Sequence, residues 1–194
     1  MLIVNILYSP PPDGDDASPT YTDRAVEYLN SIKEVSLGYV GSLKVNDDNT
    51  DDDRALPWYI EQNNTTGEDK VITIFLISCS ADGSVNRNVR KIMRKIPKDV
   101  KAKPNNDNNS QYLYAIAALG HARCENSANQ MADTIFAIAR RFDKVMSSSG
   151  MFVDTSLKWK RLETQVELNG PEVDFDPWLK SLITMYVERS KDTA

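Results

Sequence analysis

Hydrophobic positions along this chain fall into blocks that switch between two spacings. Residues Leu2–Tyr8 and Val71–Ile77 are almost wholly apolar. That pattern suits strands covered on both faces, because a strand with one wet face would alternate. Tyr112–Leu119 reads the same way and ends in Gly120, whereas Val35–Val45 is strand-rich but weakened by Gly38 and Gly41, its second half reading as an edge. Lys158–Leu168 alternates in part and reads as a fifth strand. Between these blocks the spacing becomes helical. A helix is predicted from Thr20 or Thr22 to about Lys33, with Ala25, Tyr28, Leu29 and Ile32 on one face. Others are predicted over Asn86–Ile96, from Ser127 to about Met146, and from Asp174 through Val187, where Pro177 sits early enough to be tolerated. Leu56–Ile60 reads as a short helical turn, and Ser78–Ser84 as a small-residue loop.

Strands that alternate with helices imply an α/β domain, because right-handed crossovers make the sheet parallel and cover both faces. The 194 residues suffice for one such domain, expected to span 1–194. Ligands of parallel sheets bind beyond the carboxyl ends of the strands, at the point where the strand order reverses. Attention therefore falls on the loops after the first, third and fourth strands.

Composition narrows the functional classes. No apolar run approaches the roughly 20 residues of a membrane helix, and the opening Met1–Tyr8 lacks the basic start and small-residue cleavage site of a signal peptide. With only Cys79 and Cys124 as cysteines, the chain is expected in the cytoplasm or another reducing compartment. The net charge is −5, with carboxylates clustered at Asp13, Asp15 and Asp16 and again at Asp47, Asp48, Asp51, Asp52 and Asp53. Such clusters repel nucleic acid and attract a basic protein partner, or are simply solvated loops. Lys91, Arg94, Lys95, Lys98, Lys101 and Lys103 follow helical spacing and read as a solvated helix face. His121, the single histidine, with Glu125 is too small a set for a metal site, and there is no Walker loop, nucleophile elbow or dinucleotide turn.

The loop after the third strand reads Ser78-Cys79-Ser80-Ala81-Asp82-Gly83-Ser84-Val85-Asn86-Arg87-Asn88, and that after the fourth Ala118-Leu119-Gly120-His121-Ala122-Arg123-Cys124-Glu125. Together they resemble the flavodoxin-like FMN-binding domains of diflavin reductases, the cytochrome reductase, sulfite reductase flavoprotein and nitric-oxide synthase type. The family's T-Y-G-x-G-x-P-x-x-N is matched by Cys79, Ser80, Ala81, Gly83, Val85 and Asn88. Its G-L-G-N-x-x-Y-E is matched by Ala118, Leu119, Gly120, His121, Cys124 and Glu125. The likeness continues into Asp174–Leu179. It implies a doubly wound five-stranded parallel sheet in the order 2-1-3-4-5 with helices on both faces. It also implies a cofactor, FMN, bound by Ser18, Thr20 and Thr22, by Cys79, Ser80, Ala81, Asp82, Gly83 and Asn88, and by Leu119, Gly120, His121, Cys124 and Glu125.

Departures from the family pattern narrow the functional expectation. Ser18-Pro19-Thr20-Tyr21-Thr22 keeps the hydroxyl spacing of the phosphate loop S-x-T-G-T but puts Tyr21 in place of glycine. It reads equally as an ordinary Ser/Thr helix cap. Ser80 and Cys124 stand where aromatic rings flank the flavin, removing stacking of about 1 kcal/mol beyond area. Two functions fit these residues. In one the chain carries electrons on FMN, supplied by a reductase in trans. In the other it is a pseudo-flavodoxin that has lost FMN and serves as an interaction or scaffold subunit. A third keeps the pocket for another phosphate-bearing ligand. Nothing marks a hydrolase, kinase or dehydrogenase.

Overall fold

The computed structural model describes residues 1–10, 18–43, 70–79, 85–102, 112–120, 137–148, 152–163 and 171–191. Strands β1 (Leu2–Ser9), β2 (Val35–Ser42), β3 (Lys70–Cys79) and β4 (Tyr112–Gly120) lie parallel in the order β2-β1-β3-β4. A further strand, β5 (Phe152–Glu163), runs parallel beside β4. It starts and ends earlier than the Lys158–Leu168 read from alternation. The described helices are α1 (Ser18–Asn30), α2 (Arg87–Ala102), α3 (Ala137–Ser148) and α4 (Pro171–Lys191). The predicted turn at Leu56–Ile60 and the first part of the helix expected from Ser127 fall outside the described residues.

Period two along the strands sorts side chains into two cores. Leu2, Val4 and Ile6 of β1, Ile72, Ile74 and Leu76 of β3, and Ala115, Ala117 and Leu119 of β4 pack beneath α1 and α4. The intervening residues Leu7, Phe75, Tyr114 and Ile116 are buried on the opposite face, where Phe75 meets Phe142 of α3 edge-on at 5.1 Å. Tyr114 satisfies its phenol by donating to Asp143 Oδ1 at 2.7 Å, which ties β4 to α3. Val89 and Ile92 bury the inner side of α2.

Helices α1 and α4 are joined by an aromatic cluster. Tyr21 packs edge-on against Phe175 (5.1 Å, 85°), and Phe175 lies 5.8 Å from Trp178. At its margin Arg24 forms a forked ion pair with Asp176. These side chains are about a third exposed (32% and 40%), so solvent screening limits the pair to about 0–1 kcal/mol. The buried aromatics contribute far more.

Elsewhere too the local structure departs from the sequence reading. Helix α4 begins at Pro171, not Asp174, so Pro171 occupies the first turn and Pro177 lies in the interior. The burial of Phe175, Trp178, Leu179 and Leu182 offsets the hydrogen bond that Pro177 cannot donate. Helix α2 continues past Ile96 through Pro97 to Ala102. Finally, β2 bulges against β1: Val4 pairs with Leu37 but Ile6 with Val40. Asn5 fills the step, its Oδ1 accepting the Tyr39 N–H at 2.8 Å. Gly38 is required there, because a Cβ would collide with that amide oxygen and approach Ile3 Cγ2 at 3.1 Å.

Candidate functional site

The strand registers bring the loops singled out from sequence to one edge. Ser9 of β1 lies beside Ile77 of β3, Ser78 beside Leu119 of β4, and Cys79 beside Gly120. Helix α1 follows the carboxyl end of β1 on one face, and α2 follows that of β3 toward the other, so the order reverses between β1 and β3. This is where an open parallel sheet leaves a crevice.

Two buried side-chain atoms lack a hydrogen-bond partner among the described residues, Asn5 Nδ2 in the β1–β2 bulge and the Ser78 hydroxyl, and of the two Ser78 lies next to the carboxyl edge. Strand β3 runs to Cys79, so Ser78 belongs to the strand and not to the loop predicted over Ser78–Ser84. Alternation puts it on the face of Ile74 and Leu76, the side covered by α1. It is 4% exposed, and its hydroxyl has no hydrogen-bond partner among the described residues. An orphaned buried hydroxyl costs about 1–3 kcal/mol. Its position under the carboxyl edge makes it a donor available to a ligand seated there. The sequence signal was slight: one hydroxyl ending an otherwise apolar strand.

Helix α1 already begins at Ser18, so the hydroxyl series Ser18, Thr20 and Thr22 is helical, where the sequence suggested a loop before the helix. Thr20 and Pro19 are exposed, while Tyr21 and Thr22 are buried. Tyr21, which replaces the glycine of the phosphate-loop pattern, is thus an anchor against Phe175. The first turn still presents backbone N–H groups without intrahelical partners, with Pro19 contributing none.

Asn88 lies in the first turn of α2 and donates through Nδ2 to the Leu43 carbonyl at 3.1 Å, pinning the end of β2 to α2. Its backbone N–H is capped by Asn86 Oδ1 at 3.0 Å. That cap was not read from sequence, although an Asn ahead of a helix is a common sign of one. Leu119 is buried in the core shared with α1 and α4, below the edge. Cys79 and Gly120 end their strands side by side. Ser80, Ala81, Asp82, Gly83, His121, Cys124 and Glu125 lie outside the described residues, as do the Asp13–Asp16 and Asp47–Asp53 clusters. Among the described residues no group of three or more His, Cys, Asp or Glu is placed to hold a metal ion, and no helix is long and apolar enough to cross a membrane.

Compared with solved structures, the chain matches a cysteine-to-serine variant of a flavodoxin from Pseudomonas aeruginosa with a TM-score of 0.55 at 16% identity, over 94% of this chain and 96% of that one. Oxidised flavodoxin 2 from Bacillus cereus matches with a TM-score of 0.53 at 10% identity, over 97% and 99%. The fold is flavodoxin-like. An NADPH-quinone reductase from P. pentosaceus also matches, with a TM-score of 0.50 at 12% identity over 93% and 95%. No family model matches the chain, and no curated protein matches it in sequence. At these identities the likeness is one of architecture.

Proposed function

We propose that this chain is a divergent, single flavodoxin-like domain that binds FMN at the carboxyl edge of its sheet and carries electrons delivered by a separate reductase. On this reading β5 is the fifth strand of a doubly wound sheet in the order 2-1-3-4-5. The observation that carries the proposal is the orphaned Ser78 hydroxyl, buried at the reversal of strand order on the face covered by α1. It suits a ligand that brings hydrogen-bond acceptors, and the first-turn N–H groups of α1 suit an anion. Ser78 and the backbone from Ser18 would hold the phosphate end, and the loops after Cys79 and Gly120 the ring. A bound flavin would supply reversible electron storage, and the protein would position and tune it. The likeness to the FMN domains of diflavin reductases belongs to this proposal and rests on the two loop motifs.

One observation favours a second reading, a pseudo-flavodoxin that has given up FMN and works as an interaction subunit. Tyr21 and Thr22 face the core, so the first turn of α1 is built as an ordinary helix start. FMN titration separates the two. Under the first, FMN fluorescence is quenched to a defined stoichiometry and the visible spectrum of the flavin shifts on binding. Colourless protein and unquenched FMN at high protein concentration would eliminate the electron carrier and leave the interaction subunit.

A further inference from the structure

The outward face of α2 carries a row of cations. Arg87, Arg90 and Arg94 are exposed, and the residues behind them, Val89 and Ile92, are wholly buried. At 100° a residue the three guanidinium-bearing positions fall within about 60° of one another. The helix continues to Ala102, and the same spacing carries the row on to positions 98 and 101, both lysine in the sequence. From 87 to 101 the row spans about 21 Å at 1.5 Å a residue.

Two features make this more than a solvated face. First, none of the three arginines has an ion-pair partner among the described residues, in contrast to Arg24 on α1, which is held by Asp176. Second, the row starts where the helix tolerates cations least. The amino end of a helix bears partial positive charge, so Arg87 and Arg90 oppose the dipole, and α2 has no acidic residue in its first turn to compensate. Local stability therefore does not account for them, and an external anion would.

We propose that the outer face of α2 docks an acidic helical segment of a partner protein. The positions 87, 90, 94, 98 and 101 advance by 3, 4, 4 and 3 residues, the step at which a helix laid alongside presents its own carboxylates, so that these lie opposite the guanidinium groups of Arg87, Arg90 and Arg94. Arginine favours this use because its planar fork engages a carboxylate through two hydrogen bonds. Nucleic acid is disfavoured. The chain as a whole carries −5, so a long polyanion meets repulsion beyond the row, whereas a single acidic helix engages the row alone. The docking stands whether or not FMN binds.

Fluorescence anisotropy tests it, with a labelled Ala/Glu peptide of about 20 residues bearing its glutamates on one helical face. The intact chain should bind this peptide, more tightly than one of equal composition with glutamates spread around the helix. Binding should weaken steeply as salt rises from about 50 to about 300 mM. The R87E/R90E/R94E variant should lose about tenfold or more in affinity. The control K33E/K180E, reversed at exposed lysines elsewhere, should keep it. The triple variant should melt no lower than the parent, because Glu at the start of α2 complements the dipole, so loss of binding will not reflect unfolding. Failure of the parent to bind at low salt would overturn the proposal, as would equal binding by the triple variant. So would tighter binding of a DNA duplex of similar length than of the peptide, or salt-sensitive self-association through the same arginines.

Discussion

Replacing Ser78 by alanine should strengthen the free protein while weakening its hold on FMN. The hydroxyl is buried, 4% exposed, and has no partner among the described residues. In the free chain it therefore carries an uncompensated desolvation cost of about 1–3 kcal/mol. Alanine removes that cost and leaves a gap of only one oxygen atom, so a net gain of about 1 kcal/mol is expected. In a protein of this size that raises the melting temperature by about 2–4 °C. With FMN bound, the same hydroxyl would donate to an anionic acceptor, an interaction of about 1.5–3 kcal/mol. Its loss should raise the Kd for FMN by about 10- to 150-fold. Thermal denaturation without flavin and fluorescence titration with it read the two effects separately. A lower melting temperature for the variant would show that the hydroxyl is satisfied in the free protein. An affinity unchanged within about twofold would show that Ser78 does not face the ligand.

Other residues give independent checks. Gly38→Ala should destabilise the fold by about 1–3 kcal/mol in chemical denaturation, because the new methyl group collides with the Asn5 amide oxygen that holds Tyr39 N–H. Phe175→Ala should cost about 3–5 kcal/mol, since this fully buried ring joins Tyr21 to Trp178. A loss under about 1 kcal/mol would mean that α1 and α4 do not pack as described. Burial raises the pKa of the Tyr28 phenol above its ordinary 10.0. Its contribution is therefore complete below about pH 10 and is lost as pH rises through the raised folded value. Tyr28→Phe should flatten the alkaline fall in melting temperature and leave the neutral range unchanged.

Much of the architecture was legible as pattern. The apolar runs Leu2–Tyr8, Val71–Ile77 and Tyr112–Leu119 suit strands buried on both faces, and helices between them favour parallel pairing with right-handed crossovers. The carboxyl edge, with the loops after β1, β3 and β4, follows from that arrangement. Element ends were less legible, because packing decided them. Pro97 looks like a stop in one dimension and Pro177 like a first-turn residue, yet α2 runs on through Pro97 and α4 starts early enough to hold Pro177 in its interior. In α4, burial of Phe175 and Trp178 outweighs one missing hydrogen bond.

The candidate site divides in the same way. The family resemblance assigns Ser18, Thr20 and Thr22 to one phosphate loop, while the same residues read equally as an ordinary helix cap. In the folded chain they lie on a helix that turns Thr22 inward and Thr20 outward. Asn88 matched a ligand position by motif, but its amide binds Leu43 O, across a distance in sequence that no local pattern encodes. Ser78 and the bulge at Asn5 became visible only with the sheet assembled, since an unpartnered buried atom is defined by every neighbour it lacks. Sequence by itself determined the layers, the parallel sheet and the edge at which a ligand would sit, because periodicity and chirality are local properties of the chain. Tertiary structure alone decided which polar groups are spent on the scaffold and which remain free, because hydrogen-bond satisfaction depends on contacts between residues far apart in the chain.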